Sequence, residues 1–174
     1  MKKTRVLLAD DHRILAQGLR SLLEPHFDLI GVVADGRELV AAARKLRPDV
    51  IVADITMPAL NGIEAALDLR KAGVEAHVVF LTMHRDVAYA RRALEAGASG
   101  FVLKHSAPDE LVQAIQQALQ GQTYITPMIA GELLRSYGDD DAQTRDATEG
   151  LTRRQREVLQ LFAEGKSAKE VASL

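Results

Sequence analysis

Five short apolar runs separated by stretches of helical periodicity occupy the first 120 or so residues, and this alternation restricts the fold more than any other feature of the chain. The runs are RVLLA at 5–9, LIGVVA at 29–34, DVIVA at 49–53, HVVFLT at 77–82 and GFVL at 100–103. Each is short and mostly apolar, and Val50 to Ala53 is mostly β-branched as well, as strands buried on both faces of a parallel sheet are. Residues 12–24 put Ile14, Leu15, Leu19, Leu22 and Leu23 on one helical face, and Pro25 ends the pattern. Asp35 caps a helix to about Leu46, Asn61 opens one to about Ala72, and another runs from Asp86 to about Ala96. A fifth covers 108–121 and stops at Gly121. Strand and helix in regular alternation predict an α/β fold with a doubly wound, five-stranded parallel sheet. Right-handed crossovers then bring all five strand ends to one edge.

That edge collects Asp10, Asp11, Asp54, Thr82 and Lys104, each at or just past the carboxyl end of a strand, where open α/β sheets hold their ligands. Taken alone, Asp54 stands equally as a nucleophile for phosphoryl transfer or as the cap of the next helix. Lys104 alone is an exposed lysine, and Thr82 a β-forming residue. Together they carry chemistry. Three neighbouring carboxylates need a counter-charge, and Mg²⁺ is a hard cation that takes one or two carboxylates, waters and a phosphate oxygen. The expected direct ligands are Asp11 and Asp54, with Asp10 acting through water and a backbone carbonyl near Thr56 completing the shell. Lys104 and the Thr82 hydroxyl are expected to hold the remaining phosphoryl oxygens while the cation offsets their charge.

Composition narrows the alternatives. The chain has no cysteine, which excludes disulfides, thiolate catalysis and cysteine-ligated metals. No apolar run reaches membrane-spanning length, so a cytoplasmic protein with no membrane partner is expected. Charge is unevenly spread. Residues 1–137 are balanced, 138–149 carry a net −4 and 150–174 a net +2. A short helix with Pro127 in its first turn follows Gly121, and residues 138–149, with only Ala142 and Ala147 apolar, are expected to form a solvated linker.

The acidic pair Asp10-Asp11, the block Asp54-x-x-Met57-Pro58-x-x-x-Gly62, Thr82 and the run from Gly100 to Lys104 resemble, in order and spacing, the receiver domain of bacterial two-component response regulators. The resemblance implies a flavodoxin-like sheet of order 2-1-3-4-5 and phosphorylation of Asp54 from the phosphohistidine of a sensor histidine kinase. It also implies that Thr82 and Phe101 form a switch pair, the hydroxyl moving to the phosphoryl group and the ring turning inward. Such a protein is not an enzyme beyond slow self-dephosphorylation. The chain departs from the common pattern at Phe101, where many receivers have tyrosine, and at His105, where many have proline. Thr56 and His84 flank the expected phosphoryl position and are placed to tune its lifetime, although a solvated surface role is the stronger reading for His84.

Residues 151–174, LTRRQREVLQLFAEGKSAKEVASL, resemble the start of the helix-turn-helix DNA-binding domain of the NarL/LuxR class. The expected division is a receiver at 1–124, a short helix and acidic linker at 125–150, and a helix-turn-helix fragment at 151–174. The recognition helix lies beyond Leu174, so a truncated chain is expected, with DNA reading and phosphorylation-dependent homodimerisation belonging to the full-length regulator. Two enzyme or cofactor readings compete. A Mg²⁺-dependent aspartyl phosphatase of the haloacid-dehalogenase type wants a carboxylate where Thr56 stands, and a flavodoxin-type cofactor module would place a phosphate against Asp10-Asp11. A receiver acting alone through protein contacts is the remaining alternative.

Overall fold

The computed structural model of the chain describes residues 2–143. The helix-turn-helix reading at 151–174 falls outside them. Six parallel strands form one sheet in the order β2-β1-β3-β4-β5-β6. They are β1 (Arg5–Ala9), β2 (Asp28–Val33), β3 (Val50–Asp54), β4 (His77–Thr82), β5 (Gly100–Leu103) and β6 (Tyr124–Ile125). The helices are α1 (Arg13–Leu23), α2 (Gly36–Leu46), α3 (Gly62–Lys71), α4 (Val87–Glu95), α5 (Ala107–Leu119) and α6 (Pro127–Gln143). Asp35, Asn61 and Asp86 cap α2, α3 and α4, each accepting a hydrogen bond from a backbone N–H of the first turn.

Alternation along the strands builds two cores, because successive side chains leave opposite faces of the sheet. Val6, Leu8, Val50, Val52, Val79, Leu81 and Val102 pack with α1 and α5 through Leu19, Leu23, Leu111 and Ile115. Leu7, Ile51, Ala53, Phe80 and Phe101 pack on the other side with Leu39, Ile63, Leu69 and Leu94. Both faces are covered, which is why the strands read as nearly unbroken apolar runs.

The sheet has one strand more than expected. Tyr124 and Ile125 pair with Gly100 and Phe101, closing the outer edge of β5. Two residues are too few for a period to show, so β6 is visible only through its partner. It also moves the end of the sheet past the expected boundary at residue 124. From β6 the chain turns straight into α6, whose Ile129, Ala130 and Leu133 are fully buried in the core that holds Phe101. Burying the Ile and Leu side chains alone contributes about 2 kcal/mol each. Arg91 of α4 sits over the ring of Tyr137 at 4.6 Å and reaches Ser136 Oγ at 3.4 Å, fixing α6 along α4. The linker expected from residue 138 is helical through Gln143. The apolar periodicity of the sequence ends near Tyr137, but extending a nucleated helix costs little per residue, and α6 runs on past the end of that pattern.

The loop between β3 and α3 is pinned by glycines. A Cβ on Gly62 would lie 2.2 Å from the carbonyl oxygen of Asp54, and one on Gly36 would lie 1.9 Å from that of Leu60. Within this loop Ala59 holds a φ of +66°, a region that costs a residue with a side chain energy.

Gly62→Ala should therefore lower stability by about 2 kcal/mol or more, since the obstacle is backbone and cannot rotate away. Gly18, inside α1 with nothing within 4 Å of its missing Cβ, should respond oppositely, its change to alanine adding about 0.5–1 kcal/mol. Urea midpoints of the two variants check both signs.

Candidate functional site

The register places the ends of β1, β3, β4 and β5 side by side: Ala9 pairs with Ala53, Asp54 with Leu81, and Thr82 with Leu103. Asp10 and Lys104 each follow one of these strands directly, and Asp54 ends β3. Their side chains converge. Lys104 Nζ donates to Asp54 Oδ2 at 2.7 Å and lies 2.8 Å from Asp10 Oδ2. The one ammonium thus bridges the two carboxylates, with nearly equal distances to Asp54 Oδ2 and Asp10 Oδ2. All three side chains are at most 4% exposed.

Backbone donors fix the carboxylates. Asp54 Oδ1 accepts the Thr56 N–H at 3.1 Å, and Asp10 Oδ1 accepts the His12 N–H at 2.8 Å. Asp11 and Thr56 stand at the exposed rim of the cluster. Burial pushes the Asp54 carboxyl above the ordinary carboxylate range. The hydrogen bond and charge of Lys104 pull it down, Asp10 adds a further upward push, and the Thr56 N–H opposes it. Burial by itself would lower Lys104, but its contacts with Asp10 and Asp54 outweigh this and hold it above the ordinary lysine range.

The remaining expected residues occupy the same edge or the strand below it. Thr82 is fully buried, and its hydroxyl accepts the N–H of His84 at 3.0 Å. The His84 ring stacks on Tyr89 of α4 with centroids 5.3 Å apart. Phe101 lies in register between Phe80 and Ile125 and has no exposed surface. The inward turn implied for its ring thus has no outward starting point here, because β6 and α6 already cover it. The Lys104–His105 peptide is trans and opens a short 3₁₀ turn, Lys104–Ser106, that leads into α5.

Sequence reasoning missed His12. Its Nδ1 lies 3.0 Å from Asp11 Oδ1, 3.2 Å from Asp10 Oδ1 and 3.8 Å from Asp54 Oδ2. It occupies the entry position of α1 yet makes no side-chain cap; its place directly after the acidic pair was the signal available. One ligand atom from each of Asp10, Asp11, His12 and Asp54 falls within 4.8 Å of the others. Three carboxylates against one ammonium leave excess negative charge, and oxygen donors suit a hard divalent cation, so the residues present fit Mg²⁺. A larger cavity, about 420 Å³, opens at the opposite edge beside Arg70 and Gly73, away from every one of these groups.

Residues 6–116 match the family described as the response regulator receiver domain. The transcriptional regulatory protein DegU of Brevibacillus brevis is 34% identical over 181 residues, covering 95% of this chain and 77% of that protein. A crystal structure of a LuxR-family two-component response regulator from an Aurantimonas species superposes with a TM-score of 0.75 at 40% identity, over 79% of this chain and all but 1% of that one (99% covered). A structure of the RcsB response regulator from Salmonella typhimurium, solved in a study of DNA interaction, aligns over 99% of this chain and 88% of its own, with a TM-score of 0.73 at 28% identity. No helix among the described residues is long and apolar enough to cross a membrane.

The raised Asp54 carboxyl sets a pH dependence. A group with a folded pKa above its unfolded value contributes most below the unfolded value and loses that contribution as pH rises through the folded one. Asp54→Asn removes this loss. Its stability relative to the parent should therefore increase between the ordinary carboxylate range and neutral pH in Mg²⁺-free buffer. Parallel denaturation curves across that interval check it; a difference that is flat or falls with pH contradicts the buried-charge account.

Proposed function

The chain belongs to the response regulator receiver family, and on that premise we propose that it is a phosphorylation-switched regulator of transcription that accepts a phosphoryl group on Asp54. The observation that carries the reading is the ammonium of Lys104 seated 2.7 Å from a buried carboxylate at the end of a central strand. In the transfer, a carboxylate oxygen of Asp54 forms the new P–O bond as the P–N bond to the phosphohistidine of a sensor histidine kinase breaks. Asp11 and Asp54, with Asp10 through water and the backbone carbonyl of Thr56, would hold Mg²⁺, which would supply positive charge against the phosphoryl oxygens. Lys104 stays between Asp10 and the new group, exchanging a carboxylate partner for a phosphoryl oxygen.

Thr82 supplies the switch. To reach the phosphoryl group its hydroxyl must leave the His84 N–H, freeing the loop that begins α4. A second path starts at Lys104. The N–H of Leu103, its neighbour, donates to Thr126 Oγ1 at 3.2 Å, and that hydroxyl donates to Glu110 Oε2 at 2.7 Å. Thr126 opens α6, whose far end is tied to α4 by Arg91. Both limbs therefore meet in α6, the element that continues toward residues 151–174. Phe101 acts beneath it as the packing surface on which α6 shifts, in place of a free swing of the ring. The receiver ends after β6, α6 connects, and 151–174 contribute to a LuxR-type DNA-binding domain that acts from a homodimer in the cytoplasm.

Incubation with acetyl phosphate and Mg²⁺ should add one phosphoryl group by intact mass, and Asp54→Asn should take up none; labelling of that variant would sink the assignment. Thr82→Ala should still be labelled but should not change its sedimentation or the hydrogen exchange of residues 127–143. A labelled Thr82→Ala protein that responds as the parent does would refute the coupling.

A further inference from the structure

The imidazole of His12 lies against the acidic cluster, its Nδ1 in hydrogen-bond contact with Asp10 Oδ1. Neighbouring ligands of an octahedral ion with bonds of about 2.1 Å lie about 3.0 Å apart. Nδ1 of His12 is 3.0 Å from Asp11 Oδ1 and 3.2 Å from Asp10 Oδ1, and Asp54 Oδ2 follows at 3.8 Å. The backbone sets this position: the His12 N–H is bound to Asp10 Oδ1, so the ring hangs directly over the carboxylates. One side of the ring faces solvent, the side chain being 61% exposed, which leaves a cation a direct approach. Asp10, with a fully buried side chain, belongs to the same cluster and is held there by Lys104 Nζ at 2.8 Å from its Oδ2. A residue at a helix entry usually turns a side-chain oxygen onto the first-turn amides; here the ring serves the acids instead.

We infer that His12 is a nitrogen ligand of the divalent-cation site, giving it a preference for borderline transition-metal ions such as Co²⁺ and Ni²⁺ over Mg²⁺. The inference rests on the receiver reading of the site and adds a donor to it. Carboxylate and carbonyl oxygens alone are a hard set suited to Mg²⁺, whereas imidazole binds later first-row ions well and Mg²⁺ poorly. Nδ1 gives up its contacts with Asp10 and Asp11 and presents its lone pair to the ion that the same carboxylates bind. The site then discriminates among divalent ions through one side chain at its rim, and a transition ion held there is released more slowly than Mg²⁺.

Calorimetric titrations of the whole chain with Co²⁺, Ni²⁺ and Mg²⁺ test this, using the parent, His12→Ala and His12→Asn. The preference for Co²⁺ over Mg²⁺ should drop by about ten-fold or more in both variants, as expected for loss of a ligand. The Co²⁺-loaded parent should also show hyperfine-shifted imidazole proton signals that both variants lack. If His12 is only an internal counter-ion competing with metal, its removal strengthens Co²⁺ and Mg²⁺ binding alike, and the inference is overturned. An unchanged preference overturns it as well. Labelling of the parent by acetyl phosphate with Mg²⁺ is run alongside: its failure counts against the receiver reading, whereas a labelled protein with a His12-independent metal preference counts against the ligand alone.

Discussion

Two carboxylates and one ammonium, all nearly without exposed surface, share the space above β1, β3 and β5, and the rest of the molecule is arranged to tolerate them. Ion pairs of this kind are poor stabilisers, because desolvation consumes much of the attraction; deleting one partner nevertheless costs about 3–5 kcal/mol. The strands leading to them are therefore unbroken hydrocarbon on both faces, supplying the burial that offsets the polar edge. The charge balance is left incomplete, with more acid than base. A protein selected for stability alone would neutralise such a cluster. One that must attract a cation and a phosphoryl group has reason to leave it hungry.

The polar edge and the output helix are joined through hydrogen bonds as well as through packing. Leu103 stands next to Lys104, and its amide rests on Thr126; Glu110 holds the same threonine from α5. The Tyr124 phenol, pushed above its ordinary range by burial and then by the charge and hydrogen bond of Glu110, belongs to this knot. Three elements beyond the polar edge thus meet at one carboxylate. A small displacement of Lys104 reaches α6 within a few bonded contacts, in a region packed too tightly to absorb it by slack.

Most of the sheet was legible because parallel strands buried on both faces leave uninterrupted apolar runs, and each run ended in a polar residue that the topology could only send to one edge. The acidic pair, Asp54, Thr82 and Lys104 were found in this way, from position and not from any single motif. His12 was not, since a histidine after two aspartates looks like any residue entering a helix; only the ring's direction reveals its company. β6 was missed because two residues have no period, and its evidence is the open edge of β5. The length of α6 was misjudged for a different reason. Apolar periodicity reports where a helix is built to pack, and α6 continues beyond the end of that pattern as far as Gln143. The covering of Phe101 depends on the unseen β6 and on how the expected helix at Pro127 docks, so the state of that ring could not be read from its own neighbours in the chain.

The glycine-pinned turn after β3 has a thermodynamic meaning for the chemistry. With Gly36 and Gly62 admitting backbone on either side and Ala59 held at positive φ, residues 55–61 have lost their freedom when the protein folds. A cation and phosphoryl group arriving as proposed would find Asp54 and the Thr56 amide already joined by a hydrogen bond. Ordering entropy that a flexible loop would surrender at each encounter is here surrendered once, during synthesis. On the proposed reading, every cycle of phosphorylation and hydrolysis would begin from the same geometry, and the lifetime of the signal would be governed by chemistry at the carboxylate instead of by the time a loop needs to find its place.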